Sequence, residues 1–248
     1  MVHSQYMTKS VRTAAMLLKD TLAIRERSSK DTLAIREKSI IEATGLLKKT
    51  SDIRNKREEW FKETGMAYNV FETAGISEKE VWMCNVLVDL LDPKGKHYQG
   101  NVYLELFKDM VVKLPRLEKA EKLDISKARA RKQSLTPEGK LIDIAISDGL
   151  VFVPIEAKIN TDDSPEQLNN YAKQSDRMNK AFGFIPVLFL TKDGHISTKG
   201  APRKKYEPIS FKEHIIPWLE ACLEETKEGA APVREIIKQY IKAIKSFC

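Results

Sequence analysis

The sequence predicts an α/β protein in which helices flank a mixed β-sheet and a long helical extension precedes it. From residue 77 onward, the hydrophobic patterns follow the order helix, helix, three strands, helix, strand, strand, helix, helix, which favours a sheet covered by helices. From about Gln5 to Lys62 the chain has no proline and one glycine, Gly45, which favours long helices. We therefore predict two domains, a helical arm at 1–66 and an α/β domain at 67–248.

The arm contains a tandem repeat, KDTLAIRERSS followed by KDTLAIREKSI. Eleven residues make about three helical turns, so the duplication stays nearly in phase on a helix. Leu22 and Ile24 lie about 200° apart on that helix, so the apolar positions do not form one seam. We expect the arm to help oligomerisation or substrate binding, and a passive extension is the alternative.

The first helix of the α/β domain is predicted to begin at Ser77, with Glu80 completing a capping box, and to end at Asp92-Pro93. Its predicted buried face includes Trp82, Val86 and Leu90. A second helix is predicted from Asn101 to Val112.

The next strand has alternating basic residues, Lys127, Arg129 and Arg131, on one face. With Lys132, they are candidates for binding nucleic-acid phosphates, and a solvated sheet edge is the alternative. After a turn at 136–139 and two further strands, Ser164 and Pro165 predict a helix start. The segments FIPVLFLT and EPIS predict strands, followed by helices near 211–226 and 232–246.

Three charged residues interrupt the two apolar runs of LIDIAISDGLVFVPIEAKI, residues 141–159. The dipeptide Asp148-Gly149 predicts a two-residue hairpin loop. That loop pairs Asp143 with Pro154, so Asp143, Glu156 and Lys158 share one face, and the two carboxylates lie about 7–8 Å apart between backbones. A shift of register by two residues keeps this result, whereas a shift by one destroys it.

The opposite face of this hairpin is apolar throughout and includes Ile142, Ile144 and Ile146. Pro154 removes a backbone donor, which suggests an edge position or a bulge.

Two carboxylates on a half-buried patch repel each other unless a cation compensates them. Mg²⁺ prefers oxygen ligands and retains several waters, and it makes a bound water more acidic. We therefore predict that Asp143 and Glu156 converge on a divalent cation near Lys158. A structural salt bridge at the sheet margin is the alternative.

Asp143, the hairpin and Glu156-Ala157-Lys158 together resemble the PD-(D/E)XK nuclease superfamily, whose core is a mixed sheet flanked by helices. KEVWMCNVLVDLLDPKGKH resembles the LLDP-G-H segment of a bacterial branch of that superfamily. EQLNNY resembles the Q-x-x-x-Y helix of that branch, and FLTKDG resembles its following strand and turn. The resemblance covers roughly residues 67–247.

The resemblance implies that Asp143, Glu156 and the backbone carbonyl of Ala157 bind Mg²⁺, with Mn²⁺ as a substitute, and that Lys158 is catalytic. Glu80 is implied to join the metal site through water, and a capping role is its alternative. Gln167 is implied to support the site, and Tyr171 is a candidate for binding nucleic acid; both also fit an ordinary helix surface.

Two departures from the family pattern stand out. Met83-Cys84 replaces the usual His-Ser of the branch, and Ile142 replaces the proline before Asp143. Neither departure removes a metal ligand, so we expect an active enzyme.

Composition excludes several other classes. The net charge is +7, which favours a polyanionic partner only weakly. The three cysteines contain no CxxC pair, which argues against a disulfide framework or zinc ribbon and favours a reduced, cytoplasmic protein. No apolar run approaches the ~20 residues of a membrane span, and His97, His195 and His214 lack metal spacing. No GxxxxGK or GxSxG motif is present.

We therefore predict a Mg²⁺-dependent DNA endonuclease, with RNA as an alternative substrate, that works as a homodimer or higher homo-oligomer. The resemblance also implies a role in restriction-like bacterial or phage defence. One alternative is a catalytically silent nucleic-acid-binding or assembly module. Another is an enzyme that uses Lys158 as a Schiff-base nucleophile, although adjacent carboxylates would keep that lysine charged.

Overall fold

The predicted α/β architecture is confirmed in a computed structural model of the chain. The structure describes the backbone of residues 2–135, 141–161 and 164–248, and the side chains of those residues except 2–15, 26, 28–34 and 133–135. The turn predicted at 136–139 lies outside the described residues. The chain divides into two units, Met1–Ala67 and Tyr68–Cys248, and the first consists mainly of one helix, α1 (Val2–Thr64).

Five strands form a mixed sheet in the order β1-β2-β3-β4-β5. They are β1 (Arg129–Leu135), β2 (Leu141–Ser147), β3 (Phe152–Lys158), β4 (Val187–Thr191) and β5 (Tyr206–Ser210). The first three strands pair antiparallel, and β3, β4 and β5 pair parallel. The carboxyl ends of β3, β4 and β5 therefore lie at one edge, where open α/β sheets bind ligands.

Helices cover both faces of the sheet. They are α2 (Val70–Thr73), α3 (Glu80–Leu91), α4 (Val102–Val111), α5 (Pro165–Met178), α6 (Ile216–Glu225) and α7 (Ala231–Phe247). A large apolar cluster joins α3, α4, α6 and α7 to the face that carries Ile144 and Ile146. A smaller cluster joins α5 to the face that carries Ala145 and Phe152. No helix in the described part of the chain is long and apolar enough to cross a membrane.

The predicted start of α5 is confirmed, whereas that of α3 is wrong. Ser164 Oγ accepts the N–H of Gln167, and Pro165 is the first residue of α5. The N-cap of α3 is Lys79, without a side-chain cap, so Ser77 and Glu80 do not form a capping box. Trp82 is 54% exposed, contrary to the prediction, whereas Leu90 is buried as predicted. The other buried residues of α3 are Met83, Cys84, Leu87 and Leu91.

The hairpin between β2 and β3 has a four-residue loop instead of the predicted two-residue loop. Ser147 pairs with Phe152, and the Asp148 carboxylate accepts the N–H groups of Leu150 and Val151 inside the loop. This side-chain turn stabilises a longer connection and moves the register by two residues. Ala145 therefore faces Pro154, and because the shift is even, the side chains of the paired residues 144–147 and 152–155 keep their predicted faces.

Pro154 lies in a central strand, contrary to the expectation of an edge position or a bulge. β4 pairs with β3 only from Ile155 onward, so Pro154 precedes the β3–β4 ladder. The missing N–H of proline therefore falls where β3 has only β2 as a described partner.

Candidate active site

The paired ladder between β2 and β3 ends at Ile144 and Ile155, immediately before the charged residues. Beyond it, the Asp143 carboxylate Oδ2 accepts the N–H of Ala157 at 3.0 Å. Ile142 packs with Ala145 and the α5 cluster, so the prediction that it shares a face with Ile144 and Ile146 is wrong. The alternation of side chains is therefore interrupted at Asp143, whose carboxylate is held against the backbone of β3.

Glu156 and Lys158 lie near the carboxyl end of β3, and they are 1% and 8% exposed. Lys158 Nζ lies 2.5 Å from Glu156 Oε1 and 3.6 Å from Glu80 Oε1. Glu80 is the first residue of α3, and its Oε2 accepts hydrogen bonds from the Ile159 N–H and the Thr161 hydroxyl. The structure thus gathers Asp143, Glu156, Lys158 and Glu80 into one cluster, which we call the charged cluster.

Electrostatics in the charged cluster are dominated by burial and by an excess of carboxylates. Burial, followed by the charge of Asp143, raises the pKa of Glu156 to about 8. Burial also raises the pKa of Asp143. Burial lowers the pKa of Lys158, but Glu156, Glu80 and Asp143 outweigh it and raise that pKa overall. Lys158 is therefore an ammonium at neutral pH, which disfavours a Schiff-base role.

The donor atoms of this cluster suit a hard divalent cation. Both Glu156 oxygens are buried without an aligned hydrogen bond, despite the short distance to Lys158 Nζ. Among the residues that the structure describes, no group of three or more His, Cys, Asp and Glu side chains has the arrangement to hold a metal. Two carboxylates are nevertheless sufficient for Mg²⁺, which keeps several of its waters. Asp143 and Glu156 therefore fit the ion, and the Ala157 carbonyl remains a predicted third ligand.

Glu80 has a different environment from the two candidate ligands. Because its Oε2 already accepts two hydrogen bonds and its Oε1 faces Lys158, direct ligation would break existing contacts. A contact to the metal through water stays a prediction.

Gln167 and Tyr171 lie on α5 and support the start of β2. The Gln167 side chain is hydrogen-bonded to Tyr171, and the Tyr171 hydroxyl donates to the backbone oxygen of Leu141 at 2.6 Å. Tyr171 is 1% exposed, so the prediction that it binds nucleic acid is wrong. Its ring is buried because it packs into the α5 cluster, and its hydroxyl anchors β2 two residues before Asp143.

The predicted basic face on β1 is only partly formed. Lys127 precedes the strand and forms an ion pair with Asp124 at 2.9 Å. Arg129 Nε and Nη2 donate to the two carboxylate oxygens of Asp92 at 2.7 and 2.8 Å. Arg131 is exposed and has no ion-pair partner among the described side chains.

Arg131 lies on the strand next to the one that carries Asp143, and it lines a groove. It pairs with Ala145, which makes it a diagonal neighbour of Asp143 at about 7–8 Å. Lys132 pairs with Ile144 and therefore projects to the opposite face. An open groove of about 380 Å³ is lined by Arg131, Arg129, Lys127, Phe152, Met178 and nearby hairpin residues. Of the four predicted basic residues, Arg131 is the one placed both near Asp143 and free of a carboxylate.

The LLDP-G-H segment is structural in this chain. His97 is 3% exposed, its Nε2 donates to the Asp92 backbone oxygen, and its Nδ1 accepts the Gln99 N–H. Both bonds are satisfied by a neutral imidazole. A Cβ at Gly95 would lie 2.1 Å from the backbone oxygen of Asp89, so only glycine fits there. The segment fixes the connection between α3 and α4 and, through Asp92, the start of β1.

Sequence reasoning missed Asn179. This fully buried side chain accepts the N–H of Phe152 and donates to the oxygen of the same residue, so it ties the start of β3 to the end of α5. An asparagine after a helix is typical of a C-cap, and no sequence signal distinguishes the two roles.

We predict that Arg129→Ala lowers the free energy of unfolding by about 1–3 kcal/mol, because it leaves the largely buried Asp92 without its charged hydrogen bonds. Burial raises the pKa of Asp92, but the Arg129 hydrogen bonds lower it overall. The stabilisation should therefore be lost as pH falls through the folded-state pKa. Urea denaturation at pH 7 and pH 3 would measure both effects. Lys127→Ala is the matched control, because its ion pair is exposed and solvent screens it, so its loss should change stability much less; equal losses in both variants would contradict the prediction.

The family comparison matches nearly all of the unit at 68–248. A family model described as the PD-(D/E)XK nuclease superfamily matches residues 68–242, a range that contains all five strands and the whole charged cluster. No curated protein and no solved structure matches the chain. Since the matched range covers most of its length, the chain belongs to the PD-(D/E)XK nuclease superfamily.

Proposed function

We propose that the protein is a Mg²⁺-dependent endonuclease that hydrolyses the phosphodiester bonds of DNA. Family membership supports a metal-dependent nuclease. The observation that carries the proposal is the convergence of Asp143 and Glu156 beside the Lys158 ammonium, with both Glu156 oxygens free of aligned hydrogen bonds. A role in restriction-like defence is proposed from the family resemblance.

Asp143 and Glu156 would hold the cation. When bound, a divalent cation supplies a more acidic water and stabilises charge on a phosphoryl oxygen. Lys158, as an ammonium, donates hydrogen bonds that orient the attacking water and neutralise negative charge as it develops. Glu80 gives Lys158 a second carboxylate partner, so the ammonium remains compensated when Glu156 binds a cation. Gln167 and Tyr171 act as positioning residues, because they hold the backbone that carries Asp143.

The testing experiment measures cleavage of supercoiled, linear and single-stranded DNA and of RNA with Mg²⁺, Mn²⁺ or EDTA. We expect DNA cleavage with either metal, none in EDTA, and none from Asp143→Asn. Binding without cleavage on any nucleic acid would instead support a silent binding module. If the protein cleaves RNA but no form of DNA, the proposed nuclease activity stands and the proposed substrate changes from DNA to RNA. Cutting both strands of a duplex requires two sites, so we propose a homodimer or higher homo-oligomer.

We predict that metal binding stabilises the folded protein more at pH 8 than at pH 6. The carboxylates must be ionised to bind a cation, and Glu156 holds a proton up to about pH 8. Thermal unfolding with Mn²⁺ against EDTA should therefore show a rise in Tm that is larger at pH 8. Asp143→Asn should lose that rise, and a rise that is unchanged in this variant would place the metal elsewhere.

We predict that Arg131→Ala weakens DNA binding in EDTA by about three- to tenfold at low salt and reduces the salt slope by about one, because it removes one phosphate contact. Fluorescence anisotropy at several salt concentrations would measure this. Lys127→Ala is the control, since Lys127 already pairs with Asp124, and it should change binding less. An equal effect in both variants would show general electrostatic attraction and no specific contact at Arg131.

A further inference from the structure

Helix α1 exposes its large apolar side chains to solvent. Twelve of them, in the part of the helix whose side chains are described, are between 47% and 71% exposed: Met16, Leu17, Leu18, Leu22, Ile24, Ile35, Ile40, Ile41, Leu46, Leu47, Ile53 and Trp60. Extended apolar surfaces of this kind are rare on soluble proteins unless they bind something. The helix therefore carries an interface that its own unit does not fill.

Ten of these residues form two stripes when the helix is projected at about 100° per residue. The first stripe consists of Leu18, Leu22, Ile40 and Leu47. The second stripe consists of Leu17, Ile24, Ile35, Leu46, Ile53 and Trp60. Each stripe is about 40° wide, and their centres lie about 130° apart. Met16 and Ile41 fall outside both stripes.

Mostly small residues lie between the stripes, including Thr21, Ser39, Ala43 and Thr50. The hydroxyls of Thr21 and Thr50 donate to the backbone oxygens of Leu17 and Leu46, so they need no partner from outside the helix. Four arginines also lie on this face, Arg25 and Arg57 between the stripes and Arg36 and Arg54 at the inner edge of the first stripe. Their long stems can carry the charge out to solvent. A neighbouring helix can therefore pack against this strip without leaving the Thr21 or Thr50 hydroxyl unsatisfied.

The width of this face indicates more than one neighbour. A two-helix coiled coil uses a narrow seam, whereas bundle helices bury a face of about 100° or more. The two stripes and the small residues between them span nearly half of the helix circumference. Each arm therefore has the surface to contact two other helices at once.

The charged residues along the outer margins of the stripes favour copies of the same arm as the neighbouring helices. Asp20, Lys38, Glu42 and Lys49 follow one another along the margin of the second stripe, and Lys19, Glu37 and Lys48 along that of the first. Lys56 and Lys62 extend these two margins, so both signs occur on each of them, which is typical of self-complementary helix packing. A polyanion would instead favour margins of one positive sign.

The available area is sufficient for a stable assembly. The helix has 63 residues and is therefore about 95 Å long. A contact strip about 10 Å wide along it would bury on the order of 1,800 Å² per helix pair, which lies within the range of specific interfaces.

We propose that α1 is an assembly module through which three or more copies of this chain form one helical bundle, each arm contacting two neighbouring copies through its two stripes. This inference is independent of the proposed catalytic activity.

Analytical ultracentrifugation of the full chain, in EDTA and without nucleic acid, tests the proposal. We expect a mass at least three times the chain mass of 28.3 kDa. The first-stripe variant Ile40→Asp/Leu47→Asp and the second-stripe variant Ile35→Asp/Ile53→Asp should both sediment at lower mass. Met16→Asp/Ile41→Asp makes the same chemical change outside both stripes and should keep the wild-type mass.

A monomeric or dimeric wild type would overturn the proposal, and so would a larger assembly in which one stripe tolerates substitution. A species that enlarges only when DNA is added would identify nucleic acid as the occupant and would also overturn it. Loss of assembly in the control variant would show that the stripes do not define the interface. Because the stripe variants could lose arm helicity, circular dichroism and thermal unfolding should show that the unit at 68–248 keeps its wild-type Tm.

Discussion

Lys158→Met is expected to reduce the rate of metal-dependent DNA cleavage by roughly two to four orders of magnitude, the range typical of removing a charged group that acts in the transition state. Methionine keeps much of the length and apolar stem of lysine but removes the ammonium. The wild-type ammonium is almost fully buried and lies within 3.6 Å of two carboxylates. Since solvent screens charges only weakly in a buried site, the loss of the ammonium should have its full effect on the cleavage rate.

A second consequence of Lys158→Met separates a catalytic role from a purely structural one. Without the ammonium, three carboxylates remain close together, so the variant should be less stable than wild type in EDTA at pH 8. Added Mn²⁺ should restore part of that stability, because a cation can replace the lost charge. A variant that regains stability with Mn²⁺ but still fails to cleave would assign Lys158 to the chemistry.

Lys192→Met is the matched control for this experiment. Lys192 lies 3.8 Å from Glu78 and is more exposed than Lys158, so its loss should change neither cleavage nor stability appreciably. Initial rates under excess substrate and thermal unfolding with and without metal are the measurements. If Lys158→Met cleaves DNA at the wild-type rate, Lys158 has no role in the chemistry and serves only as the charge partner of Glu156.

The grouping of Asp143, Glu156 and Lys158 could be predicted because it depends on the two-residue period of a strand. The hairpin loop was mispredicted, since the Asp148 carboxylate stabilises four loop residues where the Asp-Gly signal indicated two. The error moved the register by an even number, which leaves the side chains of the paired residues, 144–147 and 152–155, on their predicted faces. The break in alternation at Asp143 was not predictable in this way, because it arises from a side-chain bond to Ala157 across the strands.

The partners of other residues could not be predicted, for a different reason. Arg129 and Tyr171 have residue types that suit nucleic acid, but tertiary partners engage them, Asp92 for the guanidinium and the Leu141 carbonyl for the phenol. Glu80 was weighed as a helix cap, and it instead bonds to the segment after β3. A single sequence shows which groups a side chain offers, whereas the partner depends on how distant elements pack.

Glu156→Gln is expected to abolish cleavage and, in EDTA, to stabilise the folded protein at pH 8. Burial and the charge of Asp143 raise the pKa of Glu156 to about 8 in the folded state, against about 4.3 in the unfolded chain. Between these values the folded state holds a proton that the unfolded state has released. The free energy of unfolding therefore falls as pH rises through this window and levels off above pH 8.

Glutamine is neutral at every pH, so the variant should lose this part of the pH dependence. At pH 8 its free energy of unfolding should exceed that of the wild type by on the order of 2–4 kcal/mol, and this difference should vanish near pH 4. Lys158 keeps Glu80 as a partner in the variant, which limits the cost of losing its contact to Glu156. Glu224→Gln, an exposed substitution on α6, is the control and should shift neither curve.

Urea denaturation from pH 4 to pH 9 in EDTA, with cleavage measured in Mg²⁺ on the same preparations, gives both results. Opposite effects on stability and activity would mean that the chain keeps an unfavourable buried carboxylate because a cation needs it. If Glu156→Gln is instead less stable than wild type at pH 8, the contact to Lys158 outweighs the burial of the carboxylate. In that case, Glu156 would be held mainly as the partner of a structural ion pair, and the metal site would have to be sought elsewhere.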